Sequence, residues 1–318
     1  MSLDPEVEEL LGLIEQHLPV LGSVPIDVFR AINSSLIAAL PPGPQLERVQ
    51  DWMFTGPEGP IELRLYVPEI GLPAGVILYF HGGGWAVGDL DVHDAPLRML
   101  AQDAGLPVVS VNYRLAPEHP FPAAVEDAYA ALEWVSDALP GWFGAKLPLI
   151  VAGDSAGGNL AAVISILARD RQGPEIAAQV LLYPSTAGCD YIHSPQLQEF
   201  NPPFLPLKDI DWFIDQYVPN AADRRDQRFA PLLTPNLERL PQALVLTAQQ
   251  DLLTSEAEAY AQRLNESGTL AETLCYGGTV HGFFSLAPSQ RQAVQARIDI
   301  REFLQRVLKT GAQRDKTN

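Results

Sequence analysis

The residues best suited to covalent chemistry are Gly153-Asp154-Ser155-Ala156-Gly157, which follow the apolar run Leu149-Ile150-Val151-Ala152 and lead into Asn159-Leu160-Ala161-Ala162-Val163-Ile164. A G-x-S-x-G between a strand and a helix is a nucleophile elbow. The serine sits in a sharp turn, and the flanking glycines leave space where a Cβ would strike neighbouring backbone. Ser155 Oγ is then offered to a carbonyl carbon, and the covalent product is an acyl-enzyme. The pentapeptide alone also occurs as ordinary structure, so the argument rests on the strand before it and the helix after it.

A serine hydroxyl is a weak nucleophile until a neutral imidazole removes its proton and a carboxylate fixes the tautomer of that imidazole. In an elbow of this kind the acid and base follow the serine along the chain. His193 and His281 are the histidines that do so. His193 lies in a proline-rich stretch with no strand before it, whereas His281 follows an apolar run and a Gly277-Gly278 turn. His281 is the expected base. For the acid, Asp251 stands just past the apolar run Ala243 to Ala248, while Glu256 and Glu258 fall on the following helix. The other aspartates in this interval read as solvated charges. A histidine base predicts activity that falls on the acid side of neutrality.

A second glycine cluster, His81-Gly82-Gly83-Gly84-Trp85, follows the apolar run Ala74 to Phe80. As a dinucleotide loop it fails, because Val87 stands where the last glycine of G-x-G-x-x-G belongs, and no G-K-[ST] occurs anywhere. As an oxyanion loop it fits: backbone N–H groups must come close to a tetrahedral oxygen, and glycine permits that approach. Gly82 and Gly83 are the expected donors, with Ala156 N–H, next to the nucleophile and at a helix N-terminus, as the third. His81 and Trp85 read as shaping the loop.

These residues need a scaffold that brings strand ends together. Short apolar runs at Ile61 to Val67, Ala74 to Phe80, Pro107 to Val111, Leu147 to Ala152, Gln179 to Tyr183, Ala243 to Ala248 and Ala271 to Tyr276 read as strands buried on both faces. From the third run onward, helical segments separate them: Asp94 to Ala104, Pro122 to Leu139, Ala156 to Arg171, Ser255 to Ser267 and Pro288 to Leu308. That alternation predicts an α/β fold with a mainly parallel sheet between helices. Two regions break it. Residues 1–45 open with an amphipathic helix capped at Asp4-Pro5, and residues 185–239 carry Pro195, Pro202, Pro203, Pro206 and Pro219 around a helical Lys208 to Val218. An insertion after a strand end lies near the site, since ligands bind outside the carboxyl ends of parallel strands. Both regions read as a helical cap on a catalytic domain of residues 46–318.

Composition narrows the function classes. With 21 basic and 39 acidic residues the net charge is -18, the wrong sign for nucleic acid or an anionic membrane. Cys189 and Cys275 fit neither a disulfide scaffold nor a metal spacing. No stretch is apolar for long enough to insert in a bilayer, and the first residues lack the pattern of an export signal. A cytoplasmic protein is expected.

Taken with Val111-Asn112-Tyr113-Arg114-Leu115-Ala116-Pro117-Glu118, the two glycine motifs stand in the order and spacing of the hormone-sensitive-lipase-like (bacterial family IV) esterases, and the chain resembles that family over about Leu63 to Leu286. The resemblance implies the α/β-hydrolase fold with an eight-stranded sheet and a helical cap. It also implies a serine carboxylesterase for small esters of short to medium acyl chains, with no cofactor and no metal, and homodimers through the last strand. Tyr113, Arg114 and Glu118 are implied to brace the oxyanion loop. The acid motif departs from the family's D-P-L-x-D-E, reading Asp251-Leu252-Leu253-Thr254-Ser255-Glu256. For the substrate pocket, Trp85, Tyr183, Phe204, Trp212, Phe213 and Phe283 are the candidates, each weighed against plain core packing.

Other readings remain open at this point. An amidase could use the same three residues, because amide and ester share a tetrahedral intermediate. The plant gibberellin receptors resemble this family but have lost the histidine, which is present here as His281. Dehalogenases and epoxide hydrolases put aspartate at the elbow, where this chain has Ser155.

Overall fold

Strand β1 (Arg48–Gly56) turns back through a tight hairpin onto β2 (Gly59–Val67), and β2 pairs antiparallel with β4 (Val108–Asn112). From β4 inward the pairing is parallel, through β3 (Val76–Phe80), β5 (Leu149–Asp154), β6 (Ile176–Leu182), β7 (Gln242–Gln250) and β8 (Ala271–Val280). The result is one eight-stranded sheet in the order β1-β2-β4-β3-β5-β6-β7-β8. The structure, a computed structural model, describes residues 3–194, 197 and 199–314. Pro195 therefore lies outside the described residues.

The central strands are apolar on both faces because helices cover both. On one face Leu78, Phe80, Val151 and Val245 pack with α4 (Ala123–Phe143), α5 (Ala156–Asp170) and α8 (Thr254–Glu266). On the other, Ile77, Tyr79, Ile150 and Leu244 pack with α3 (Asp94–Ala104) and α10 (Arg291–Arg314). Alternate residues of each strand thus feed separate cores, as the pleat requires. The expectation of burial on both faces fails at β8, where Glu272, Thr273, Leu274 and Cys275 are exposed. It is an edge strand, covered on one side only by sheet.

Strand β1 has no counterpart among the apolar runs. It is the other edge, half exposed along its length, so its sequence keeps Arg48, Gln50 and Asp51. The last predicted helix, Pro288 to Leu308, is the long α10 (Arg291–Arg314), and a single turn α9 (Phe283–Leu286) that the apolar pattern did not mark precedes it. The two regions outside the alternation are helical: α1 (Pro5–His17) and α2 (Ile26–Ala38) in the first, α6 (Cys189–Ile192) and α7 (Leu207–Tyr217) in the second. Asp4 occupies the N-cap position of α1, but its side chain does not cap; it pairs with Arg291 instead.

Candidate active site

Each chemically distinctive residue is the first one past a strand. Phe80 ends β3 and His81 follows; Asp154 ends β5 and Ser155 follows; Gln250 ends β7 and Asp251 follows; Val280 ends β8 and His281 follows. Parallel strands in register put these four positions along one edge of the sheet.

Ser155 has φ of 55°, a left-handed conformation that non-glycine residues seldom adopt and that costs about 1–3 kcal/mol. The turn is this tight because a Cβ on Gly157 would overlap Phe80 O, and one on Gly153 would overlap the Gly157 carbonyl. Ser155 Oγ lies 2.8 Å from His281 Nε2, and His281 Nδ1 lies 2.7 Å from Asp251 Oδ2. Because the Asp251 carboxylate only accepts, Nδ1 carries the imidazole hydrogen and Nε2 is left to accept from the serine. Asp251 is anchored through Oδ1, which accepts from Leu253 N at 3.0 Å. His193, by contrast, is exposed and hydrogen-bonded to Asp211 on α7.

The glycine loop faces this line from β3. Gly82 does not serve as expected: its N–H donates to Asp154 Oδ1 at 2.9 Å and is spent. The amides of Gly83 and Gly84 have no acceptor among the described residues. Their directions are set from behind, because a trans peptide points its N–H opposite its C=O. His81 Nδ1 holds Gly82 O at 2.8 Å, which aims the Gly83 amide; Ala86 N and Val87 N hold Gly83 O at 3.1 and 2.9 Å, which aims the Gly84 amide. Burial, reinforced by the neighbouring His93, lowers the His81 pKa to about 4, so the ring is neutral and Nδ1 bears the hydrogen that Gly82 O accepts. Gly84 has φ of 56°, and a Cβ there would overlap the Phe213 ring.

Sequence reasoning missed several supports of this loop. Asp154, the variable residue of the elbow, accepts from Gly82 N, from Tyr79 Oη at 2.8 Å and from Ser285 Oγ at 3.1 Å. Burial works to raise its pKa, but His93 and Tyr79 outweigh it and hold the carboxyl below its ordinary value. Arg30 of α2 donates to Ala86 O at 2.8 Å and Ala116 O at 2.7 Å while paired with Glu118. Of the residues implied as braces, Tyr113 Oη donates to His81 O at 2.7 Å, Glu118 acts through Arg30, and Arg114 turns away to Asp127 and Glu58. A mixed role in one motif gives no pattern by which Arg30, far off in the chain, could have been found.

Above Ser155 lies a cavity of about 670 Å³ whose wall is chiefly apolar. Tyr183, Phe204, Phe213 and Trp85 line it together with Leu10 and Leu18 of the first region. Two expected members do not. Trp212 neighbours Phe213 on α7 but faces the turn between α1 and α2, with Gly22 against its indole. Phe283 is buried in the core between Tyr183 and Tyr276. Trp85, though at the cavity wall, is mostly covered by Tyr217, against which it stacks at 4.6 Å.

Comparison with known proteins follows the same lines. A family profile described as the α/β-hydrolase fold matches residues 77–285. The chain is 46% identical to the carboxylic ester hydrolase LipN of Mycobacterium tuberculosis, over 77% of this chain and 67% of that one. It is 40% identical to the esterase LipI of the same organism, over 93% and 95%. Among solved structures, the ester-hydrolase EH1AB1 from the metagenome of Lake Arreo is 36% identical with a TM-score of 0.88, over 98% of this chain and 100% of the other.

Proposed function

This chain belongs to the hormone-sensitive-lipase-like branch of the α/β-hydrolase family, and on that footing we propose that it hydrolyses carboxylic esters with Ser155 as nucleophile, His281 as base and Asp251 as orienting acid. The observation that carries this reading is the unbroken hydrogen-bonded line from Asp251 Oδ2 through His281 to Ser155 Oγ at the floor of the cavity. Neutral His281 takes the serine proton as Oγ attacks the ester carbonyl, and the Asp251 carboxylate stabilises the imidazolium that forms. The carbonyl oxygen becomes an oxyanion facing the amides of Gly83, Gly84 and Ala156, donors that need no reorganisation when charge develops. Collapse of the tetrahedral intermediate expels the alcohol, protonated by His281 Nε2. Water then attacks the acyl-enzyme by the same route and releases the acid.

Residues 1–45 and 185–239 act as the cap over this site, and together they supply most of the cavity wall. Its size and apolar character suit a short or medium acyl chain with a small alcohol. No helix among the described residues is long and apolar enough to cross a membrane. A cytoplasmic location is part of this reading, resting on the sequence, where the spacing of Cys189 and Cys275 fits no disulfide scaffold. The exposed edge of β8 offers backbone for pairing with a second copy, which supports a homodimer.

Covalent labelling tests the assignment of the nucleophile. Treatment with an activated organophosphate should add one phosphoryl group to Ser155, located by peptide mass mapping, in step with loss of esterase activity. A label on any other residue, with Ser155 unmodified in inactive protein, contradicts the assignment.

A further inference from the structure

Glu256 is a carboxylic acid for which the chemistry above has no use, and its side chain is fully buried. It lies in the first turn of α8, just after the turn that carries Asp251. Its Oε1 accepts from Thr186 N at 2.5 Å and Ala187 N at 3.3 Å, and Thr186 Oγ1 donates to Glu256 O at 2.9 Å. That partner segment leaves β6 in contact with the nucleophile: Ser155 N donates to Leu182 O at 2.8 Å, and Ser185 N to Ser155 O at 3.4 Å. On the acid side, Thr254 Oγ1 donates to Ala248 O at 2.6 Å and Leu253 N to Asp251 Oδ1 at 3.0 Å. A single side chain therefore ties the segment behind Ser155 to the turn that presents Asp251.

We propose that Glu256 is a positioning residue for the relay of Ser155, His281 and Asp251, acting as an uncharged acid that pins residues 185–187 to the Asp251 turn. The inference rests on the relay assigned above. The uncharged state follows from the surroundings. Among the described residues no group meets hydrogen-bond geometry with buried Oε2, a setting in which an ionised oxygen is very costly. The charged group facing it, Asp251, has the same sign. From the insertion, Tyr191 Oη donates to Ser255 O at 3.3 Å, and Tyr260 lies buried one turn further along α8. Among the described residues no arginine, lysine or histidine pairs with the Glu256 carboxyl. Burial, reinforced by Asp251, raises its pKa to about 8 against the opposing pull of the Thr186 and Ala187 amides and the Ser185 hydroxyl. Above that pH a second buried carboxylate stands beside Asp251, must draw in water, and loosens the segment that backs the nucleophile.

The test is the pH profile of kcat and KM for wild type and Glu256→Gln from about pH 6 to about pH 10. Glutamine keeps the acceptor for the two amides and cannot ionise. Wild type should lose kcat with a midpoint near 8 while KM stays within about two-fold, and E256Q, measured against its own kcat at neutral pH, should show no such loss. An alkaline loss of kcat with the same midpoint in both proteins, or none in wild type, overturns the proposal. Should E256Q fail to fold, infrared difference spectra of wild type across the same range decide it. A protonated carboxyl band that disappears near pH 8 upholds the proposal, and its absence at neutral pH overturns it. Failure of the relay assignment would appear separately, as turnover surviving in Ser155→Ala, and leaves the infrared titration untouched.

Discussion

Gly82 N donates to Asp154 Oδ1 at 2.9 Å, so the residue preceding Ser155 holds the glycine loop that faces it. The same carboxylate takes Tyr79 Oη and, through its other oxygen, Ser285 Oγ from the helix after His281. The Ser155 turn, the glycine loop and the segment behind His281 thereby meet at one buried side chain.

Asp154→Ala removes that acceptor and leaves the Gly82 amide and the Tyr79 hydroxyl unpaired in a buried setting. Each such donor costs about 1–3 kcal/mol, and a displaced oxyanion loop costs roughly 10²-fold in kcat. The variant should therefore unfold at lower urea and turn over about a hundred-fold more slowly, with a smaller change in KM. Wild-type kcat in D154A would show that the loop is held by other contacts.

Asp251→Asn tests the orienting acid. The amide keeps an oxygen for Leu253 N and the shape of the side chain, but it stabilises the wrong imidazole tautomer and cannot balance the imidazolium. We expect kcat to fall by roughly 10⁴ with thermal stability nearly unchanged. Steady-state kinetics alongside a melting curve check both halves of the statement.

Sequence legibility follows from what each residue depends on. Ser155, Asp251 and His281 could be singled out because each stands just past an apolar run that behaves as a strand, and the structure brings those three strand ends together. The glycine loop is legible in its composition, but which of its amides are left without a partner is not: Gly82, the expected donor, gives its N–H to Asp154. Which way a peptide plane faces depends on the groups that hold its carbonyl and amide, here His81 and Asp154, and spacing does not record that. Trp212 and Phe213 are equally aromatic and adjacent, yet successive positions on a helix point about 100° apart, so only one of them reaches the cavity. Strand β1 escaped notice because a half-exposed edge strand keeps polar residues. Glu256 could be put on a helix from the sequence, whereas its complete burial arises from packing against residues far off in the chain.

Acid should weaken the fold through His81. Its folded pKa of about 4 lies below its ordinary value of 6.5, so below pH 6.5 the unfolded chain binds more protons and stability falls as pH drops. This contribution is fully present above pH 6.5 and is lost down to about pH 4, at about 1.4 kcal/mol per pH unit. His81→Asn keeps a donor for Gly82 O and cannot titrate, so its urea midpoint should change less between about pH 7 and about pH 5, by the equivalent of about 2 kcal/mol. Equal pH dependence in the two proteins contradicts the assignment of a neutral buried His81.

The most direct test of the account is hydrolysis of p-nitrophenyl acetate, butyrate, octanoate and palmitate by wild type and Ser155→Ala side by side. The account predicts turnover that is highest on the short and medium chains, drops sharply at palmitate, and disappears in S155A while the fold is retained. Turnover that survives in S155A, or a wild-type protein inert toward all four esters, contradicts it.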